Sequence, residues 1–189
     1  MSCIVVKTAT SAGLIRKQAR GPGAHSAAPG GASKAMEMSM ILKPEAVRVL
    51  SAVSSKKRLM HELGSVAESV YGVNQADTVE ALQERESLGP TGVGHGVALP
   101  HARLDGLDEV VGALVLLEKP IDFDAVDRQP VDLAFALFAP REAGVEHLKA
   151  LALVSRTLRD PAVCAKLRAN TDPATLYTIV TEAQAAQAA

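Results

Sequence analysis

The sequence predicts an α/β fold in which a small mixed β-sheet is flanked by helices. Three observations carry that expectation. Residues 110–117 and 131–138 are almost wholly apolar runs of strand length, as in sheet interior covered on both faces. Segments with apolar residues at helical spacing lie before, between and after the strand candidates. Asp160-Pro161 and Asp172-Pro173 each place an N-cap residue ahead of proline at the first helical position, where a missing N–H costs nothing.

Taken in order, residues 47–53 read as a short strand or turn. Residues 55–71 read as a helix whose buried stripe is Leu59, Leu63, Val66 and Val70. Asn74 is a cap for a second helix running to about Ser87, with Val79 and Leu82 inward and Glu80, Glu84 and Arg85 near its far end. Residues 93–99 form the first of three strand candidates and stop at Pro100, which fixes φ and offers no N–H. His101 is therefore expected at a sheet end, facing solvent. Residues 110–117 and 131–138 follow, the latter leading to Pro140. A helix over residues 143–159 is expected to bury Leu148, Leu151 and Leu158. The two helices opened by Asp-Pro complete the chain, with residues 182–189 expected to fray.

Composition narrows the function. At 189 residues, 48% hydrophobic and 22% charged, the chain is long enough for one globular domain with a substantial core. Tryptophan is absent and aromatics are 3%, so no base-stacking surface is expected; a net charge of −1 likewise argues against a nucleic-acid partner. No apolar run approaches the ~20 residues of a membrane span, which argues against membrane insertion. Cys3 and Cys164 lie far apart and suit a reducing cytoplasm better than a disulfide. Residues 1–38 hold Lys7, Arg16, Lys17, Arg20 and Lys34 against Glu37, a net of +4, leaving 15 bases and 20 acids, a net of −5, for the rest. Small residues and glycine dominate 26–33, so residues 1–38 are read as a flexible extension and 39–189 as the folded domain.

Chemistry concentrates in one stretch. Glycines 89, 92, 94 and 96 precede Val97-Ala98-Leu99-Pro100-His101. They permit positive φ and let backbone amides approach an anion, and a histidine beside such amides points to phosphoryl chemistry. The loop lacks the Lys-Ser/Thr of a nucleotide-binding P-loop and never forms GxGxxG, so no cofactor is expected. His95, His101, His147 and Cys164 repeat no zinc-ligand spacing, so no metal is expected either. Lys56, Lys57 and Arg58 open a helix, where the dipole opposes cations, and nothing local accounts for them.

Glu86, Val93-Gly94 and Val97-Ala98-Leu99-Pro100-His101-Ala102 together resemble the active-site signature of the mannitol/fructose-type enzyme IIA of the phosphoenolpyruvate-dependent phosphotransferase system. Ser55-Lys56-Lys57-Arg58, Leu88-Gly89-Pro90-Thr91-Gly92, Pro120-Ile121-Asp122-Phe123-Asp124, Gln129-Pro130-Val131-Asp132-Leu133 and His147-Leu148 are similar to its nitrogen-regulatory branch. The likeness covers roughly residues 40–182. Pro90 stands where the family has a small polar residue, and His95 where asparagine is commoner.

The resemblance implies the family's mixed-sheet sandwich and a phosphotransferase working through phosphohistidine. It implies that His101 accepts the phosphoryl group on Nε2 while Nδ1–H is held by an acceptor, with His147 and Arg85 on the phosphoryl oxygens and Thr91 and Gly92 as further phosphoryl-binding residues. The implied donor is a small histidine phosphocarrier protein, charged from phosphoenolpyruvate through enzyme I. The implied partners are regulatory targets such as sensor kinases or potassium transporters, with no cofactor. Two other readings share these residues: a sugar-transport enzyme IIA that passes the group to a IIB domain, and a binding module that ignores phosphorylation.

Overall fold

The computed structural model describes residues 35–188; Cys3 and most of the basic extension lie outside the described residues. Six strands form one mixed sheet: β1 (Leu42–Leu50), β2 (Gly92–Gly94), β3 (Val97–Ala98), β4 (His101–Leu104), β5 (Val111–Ile121) and β6 (Val131–Pro140). The order is β1-β5-β6-β3-β2, with β4 also paired to β6. Helices α1 (Met38–Ile41), α2 (Lys56–Tyr71), α3 (Gln75–Ser87), α4 (Val145–Leu158), α5 (Pro161–Arg168) and α6 (Pro173–Ala188) flank it. Among the described residues no helix is long and apolar enough to cross a membrane.

The central pair is antiparallel, β5 against β6, with parallel neighbours β1 on β5 and β3 and β4 on β6. β5 is buried from Val111 to Leu117 and β6 along nearly its whole length, which is why they read as almost wholly apolar runs. All three phenylalanines, Phe123, Phe135 and Phe138, are fully buried. The caps form as their residues dictate. Ser55 accepts from Arg58 N at 3.2 Å, Asn74 from Asp77 N at 3.1 Å, Asp160 from Ala162 N at 2.9 Å and Asp172 from Thr175 N at 2.8 Å.

Several expectations are corrected. The strand placed at residues 47–53 starts earlier, at Leu42; Pro44 is tolerated because β1 is an edge strand whose register shifts between Leu42 and Val47. Residues 93–99 are not one strand. They split into β2 and β3 around His95 and Gly96, whose φ of 55° and 76° supply the left-handed pair that a tight hairpin turn requires. Pro100 does not end the pairing, because its carbonyl still accepts from Leu137 N at 3.0 Å. The chain resumes as β4, so His101 sits half-buried at a break along one side of β6. Leu148 is 63% exposed, since α4 turns His147, Ala150 and Val154 inward instead. Met38, which composition assigns to the extension, is fully buried, and its N–H donates to Gln184 Oε1 at 3.2 Å. That contact lies in the segment expected to fray, which is helical to Ala188.

The β2–β3 hairpin is held from two sides. Asp127 accepts from His95 N at 2.8 Å and from Gln129 N at 3.0 Å. From α5, Arg168 forks onto Asp132 and donates from Nη2 to His95 O at 2.8 Å. A Cβ on Gly96 would lie 2.6 Å from Arg168 Nη2, so both the turn and the clamp require glycine there.

Candidate functional site

Three segments converge at His101. The last turn of α3 brings Arg85, the Leu99-Pro100 step brings the ring of His101, and the first turn of α4 brings His147. His101 Nδ1 lies 2.9 Å from Leu99 O, and a carbonyl can only accept, so Nδ1 carries the hydrogen. Nε2 is then the bare nitrogen, and it accepts from Arg85 Nε at 2.9 Å. Two independent partners thus fix one tautomer. Arg85 is itself fixed by donating from Nη1 to Gly89 O at 3.1 Å.

The ring of His147 lies 5.5 Å from that of His101, tilted by 58°. It is buried, and its Nε2 has no hydrogen-bond partner among the described residues. A buried polar atom without a partner is costly to keep. Arg85, Thr91, Val93, Leu99, His101, Leu151 and Ser155 contribute to a pocket of about 230 Å³. Leu88, at 83% exposure, and Leu148 are exposed on segments next in sequence to the site residues.

Burial pushes the pKa of His101 down, assisted by Arg85 and opposed by the Leu99 hydrogen bond and the Glu86 charge. Burial likewise pushes His147 down, with His101 and Arg103 acting in the same direction. Both rings are thus held neutral at pH 7. NMR titration should place both midpoints below the ordinary value of 6.5. The unfolded chain then binds more protons than the folded one, so stability should fall as pH drops through 6.5 and level off below the folded-state midpoints. A midpoint for His101 above 6.5 would contradict this account of its surroundings.

Two sequence-predicted residues are placed otherwise. Thr91 lines the pocket, but its side chain is nearly buried and its hydroxyl is already committed to Glu86. Gly92 is explained by close packing: a Cβ there would lie 2.7 Å from that of Ala125. The network that sequence reasoning missed runs behind them. Glu86 also accepts from Thr91 N at 3.1 Å and pairs with Lys56 at 2.8 Å, while Lys56 reaches Asp124 at 3.1 Å and lies 4.7 Å from the centre of the Phe123 ring. Burial pulls the Lys56 pKa down, but the Glu86 and Asp124 hydrogen bonds and charges outweigh it and the net direction is up. Its one sequence signal was a cation where the helix dipole disfavours one, a local conflict that a distant carboxylate resolves.

Comparison with known proteins identifies the family. Residues 40–183 match the family described as phosphoenolpyruvate-dependent sugar phosphotransferase system, EIIA 2. A nitrogen regulatory protein of Bradyrhizobium diazoefficiens is 43% identical over 145 residues, 77% of this chain and 95% of that protein. The crystal structure of nitrogen regulatory protein IIA-Ntr from Neisseria meningitidis superposes with a TM-score of 0.70 at 36% identity, covering 75% of this chain and 97% of that one. The Escherichia coli mannitol IIA structure shares the fold at 18% identity and a TM-score of 0.63, over 73% of this chain and 97% of that one. With the family match spanning most of the chain and a relative above 40% identity, the chain belongs to the EIIA 2 family of the phosphotransferase system, on its nitrogen-regulatory branch.

Proposed function

We propose that this chain is a histidine phosphocarrier that takes a phosphoryl group onto His101 Nε2 from the phosphohistidine of a small carrier protein. The observation that carries the reading is the bare Nε2, set by the Leu99 carbonyl on the opposite nitrogen. A bond forms between Nε2 and phosphorus as the donor's nitrogen–phosphorus bond breaks and the donor ring regains its lone pair. No proton has to leave Nε2 first. The transition state spreads charge over three oxygens, so cationic and N–H groups that meet it matter more than a base. Arg85 supplies the cation, and the His147 ring, whose Nε2 is buried in this structure, turns to donate an N–H to a phosphoryl oxygen. Thr91 and Gly92 act through the shape of the loop.

The added charge then switches which regulatory proteins dock, by repulsion and by desolvation cost. Relatives named as nitrogen regulatory proteins favour regulation over sugar transport. Sensor kinases and potassium transporters are the proposed targets, the cytoplasm the proposed location, and residues 39–189 the unit that suffices for labelling. The test is incubation with phosphoenolpyruvate, enzyme I and the carrier, read by intact mass, peptide mapping and phosphorus NMR. One acid-labile group on Nε2 of His101 is expected. An acid-stable label, or one mapped elsewhere, would sink the assignment.

A further inference from the structure

Beside the His101 pocket opens a second cleft of about 500 Å³, a size typical of small-molecule sites. Val93, Leu99 and Ser155 face both cavities, and Leu158 and Pro161 extend the apolar lining away from His101. Residues 39–189 carry 15 bases and 20 acids. Against that acidic background, two arginines line this cleft and no carboxylate does. The nearby acids are engaged elsewhere: Asp132 holds the fork of Arg168, and Asp160 caps α5. Such a lining concentrates anions locally.

The two arginines are not equivalent. Arg168 is committed to Asp132 and His95 O. Arg159 makes one long contact, Nη2 to Ser155 Oγ at 3.4 Å, and no ion pair among the described residues. Its guanidinium is exposed at the cleft mouth and presents an open fork. Burial pushes the Cys164 thiol up, so it stays protonated and adds an apolar surface rather than a charge. The hairpin wall is preformed, because Arg168 and Asp127 hold it from both sides.

We propose that this cleft binds a small monoanion, a carboxylate on a short aliphatic body. The carboxylate pairs with Arg159, and the aliphatic part lies against Val93, Leu99, Leu158 and Pro161. One open guanidinium matches one carboxylate; a phosphate dianion would leave a charge unmatched beside an apolar wall. Turning Arg159 onto the ligand releases the Ser155 hydroxyl, which lines the His101 pocket, so occupancy alters the wall of the phosphoryl site.

The test uses the full chain and needs no phosphoryl transfer, so its failure is distinct from a failure of the phosphocarrier reading. Nitrogen-15 NMR spectra are followed during titration with 4-methylpentanoate and, separately, with its neutral match 4-methylpentanamide. Saturable shifts centred on residues 93–99 and 155–164 are expected for the acid. Affinity should be about tenfold lower or worse for the amide, and equally for the acid on Arg159→Gln. Arg159 is exposed, so that variant keeps its fold and its spectrum. Shifts that do not saturate, acid and amide binding alike, or unaltered binding to Arg159→Gln would overturn the proposal.

Discussion

His101→Ala should take up no phosphoryl group from the charged carrier, and Arg85→Gln should take it up about 10²–10³-fold more slowly than the unaltered chain. The first follows because the neighbouring histidine cannot stand in: His147 lies 5.5 Å away by ring centre, and its Nε2 is buried. The second follows from how Arg85 is held. Its Nε meets His101 Nε2 and its Nη1 meets Gly89 O, while Nη2 makes no hydrogen bond among the described residues. When phosphorus takes the Nε2 lone pair, the Nε–H loses its acceptor, and the guanidinium turns both nitrogens to phosphoryl oxygens from nearly the same position. Arg85→Lys should fall between, since it keeps the charge and loses the fork. Time courses of intact mass check all three, with thermal unfolding as the control for fold. Full labelling of a folded His101→Ala would place the acceptor elsewhere. Arg85→Gln at the unaltered rate would reduce Arg85 to a tether for the Gly89 loop.

How much of this was legible beforehand depends on the range of the interaction. The caps at Asn74 and Asp160 and the buried runs in β5 and β6 are local or near-local properties, and they formed where the residues indicated. The convergence of Arg85, His101 and His147 was legible only through the resemblance, since nothing in their spacing brings residues 85, 101 and 147 together. β4 escapes the sequence because its four residues, His101 to Leu104, carry too little pattern, and because a proline points to the end of a ladder that its carbonyl in fact continues. The inward expectation for Leu148 fails because α4 carries apolar residues at Val145, Leu148, Leu151, Leu153 and Val154, too many faces for periodicity to choose one. Lys56 and Glu86 are 30 positions apart on different helices, and no sequence rule pairs them.

That pair gives the second large effect: Glu86→Ala should destabilise the fold by about 3 kcal/mol, and Glu86→Gln by about 1 kcal/mol. The Glu86 side chain is nearly buried, and three groups depend on it: Lys56 Nζ, Thr91 N and the Thr91 hydroxyl. Lys56 loses least, because Asp124 and water remain within reach. Thr91 is buried, so its N–H and hydroxyl lose their acceptor with no water to replace it, which sets most of the cost. Glutamine keeps an acceptor oxygen and forfeits the charge, hence the smaller loss. A domain of this size should melt roughly 6–12 °C lower for alanine, as read by calorimetry. A second readout separates this role from simple packing. The Glu86 charge raises the His101 pKa, so removing it should move the His101 midpoint further down in an NMR titration, with Nδ1 still bonded to Leu99 O. A lower melting temperature with an unmoved His101 midpoint would make Glu86 a support for the Thr91 loop alone. A lower midpoint would make it a support that also tunes the His101 pKa.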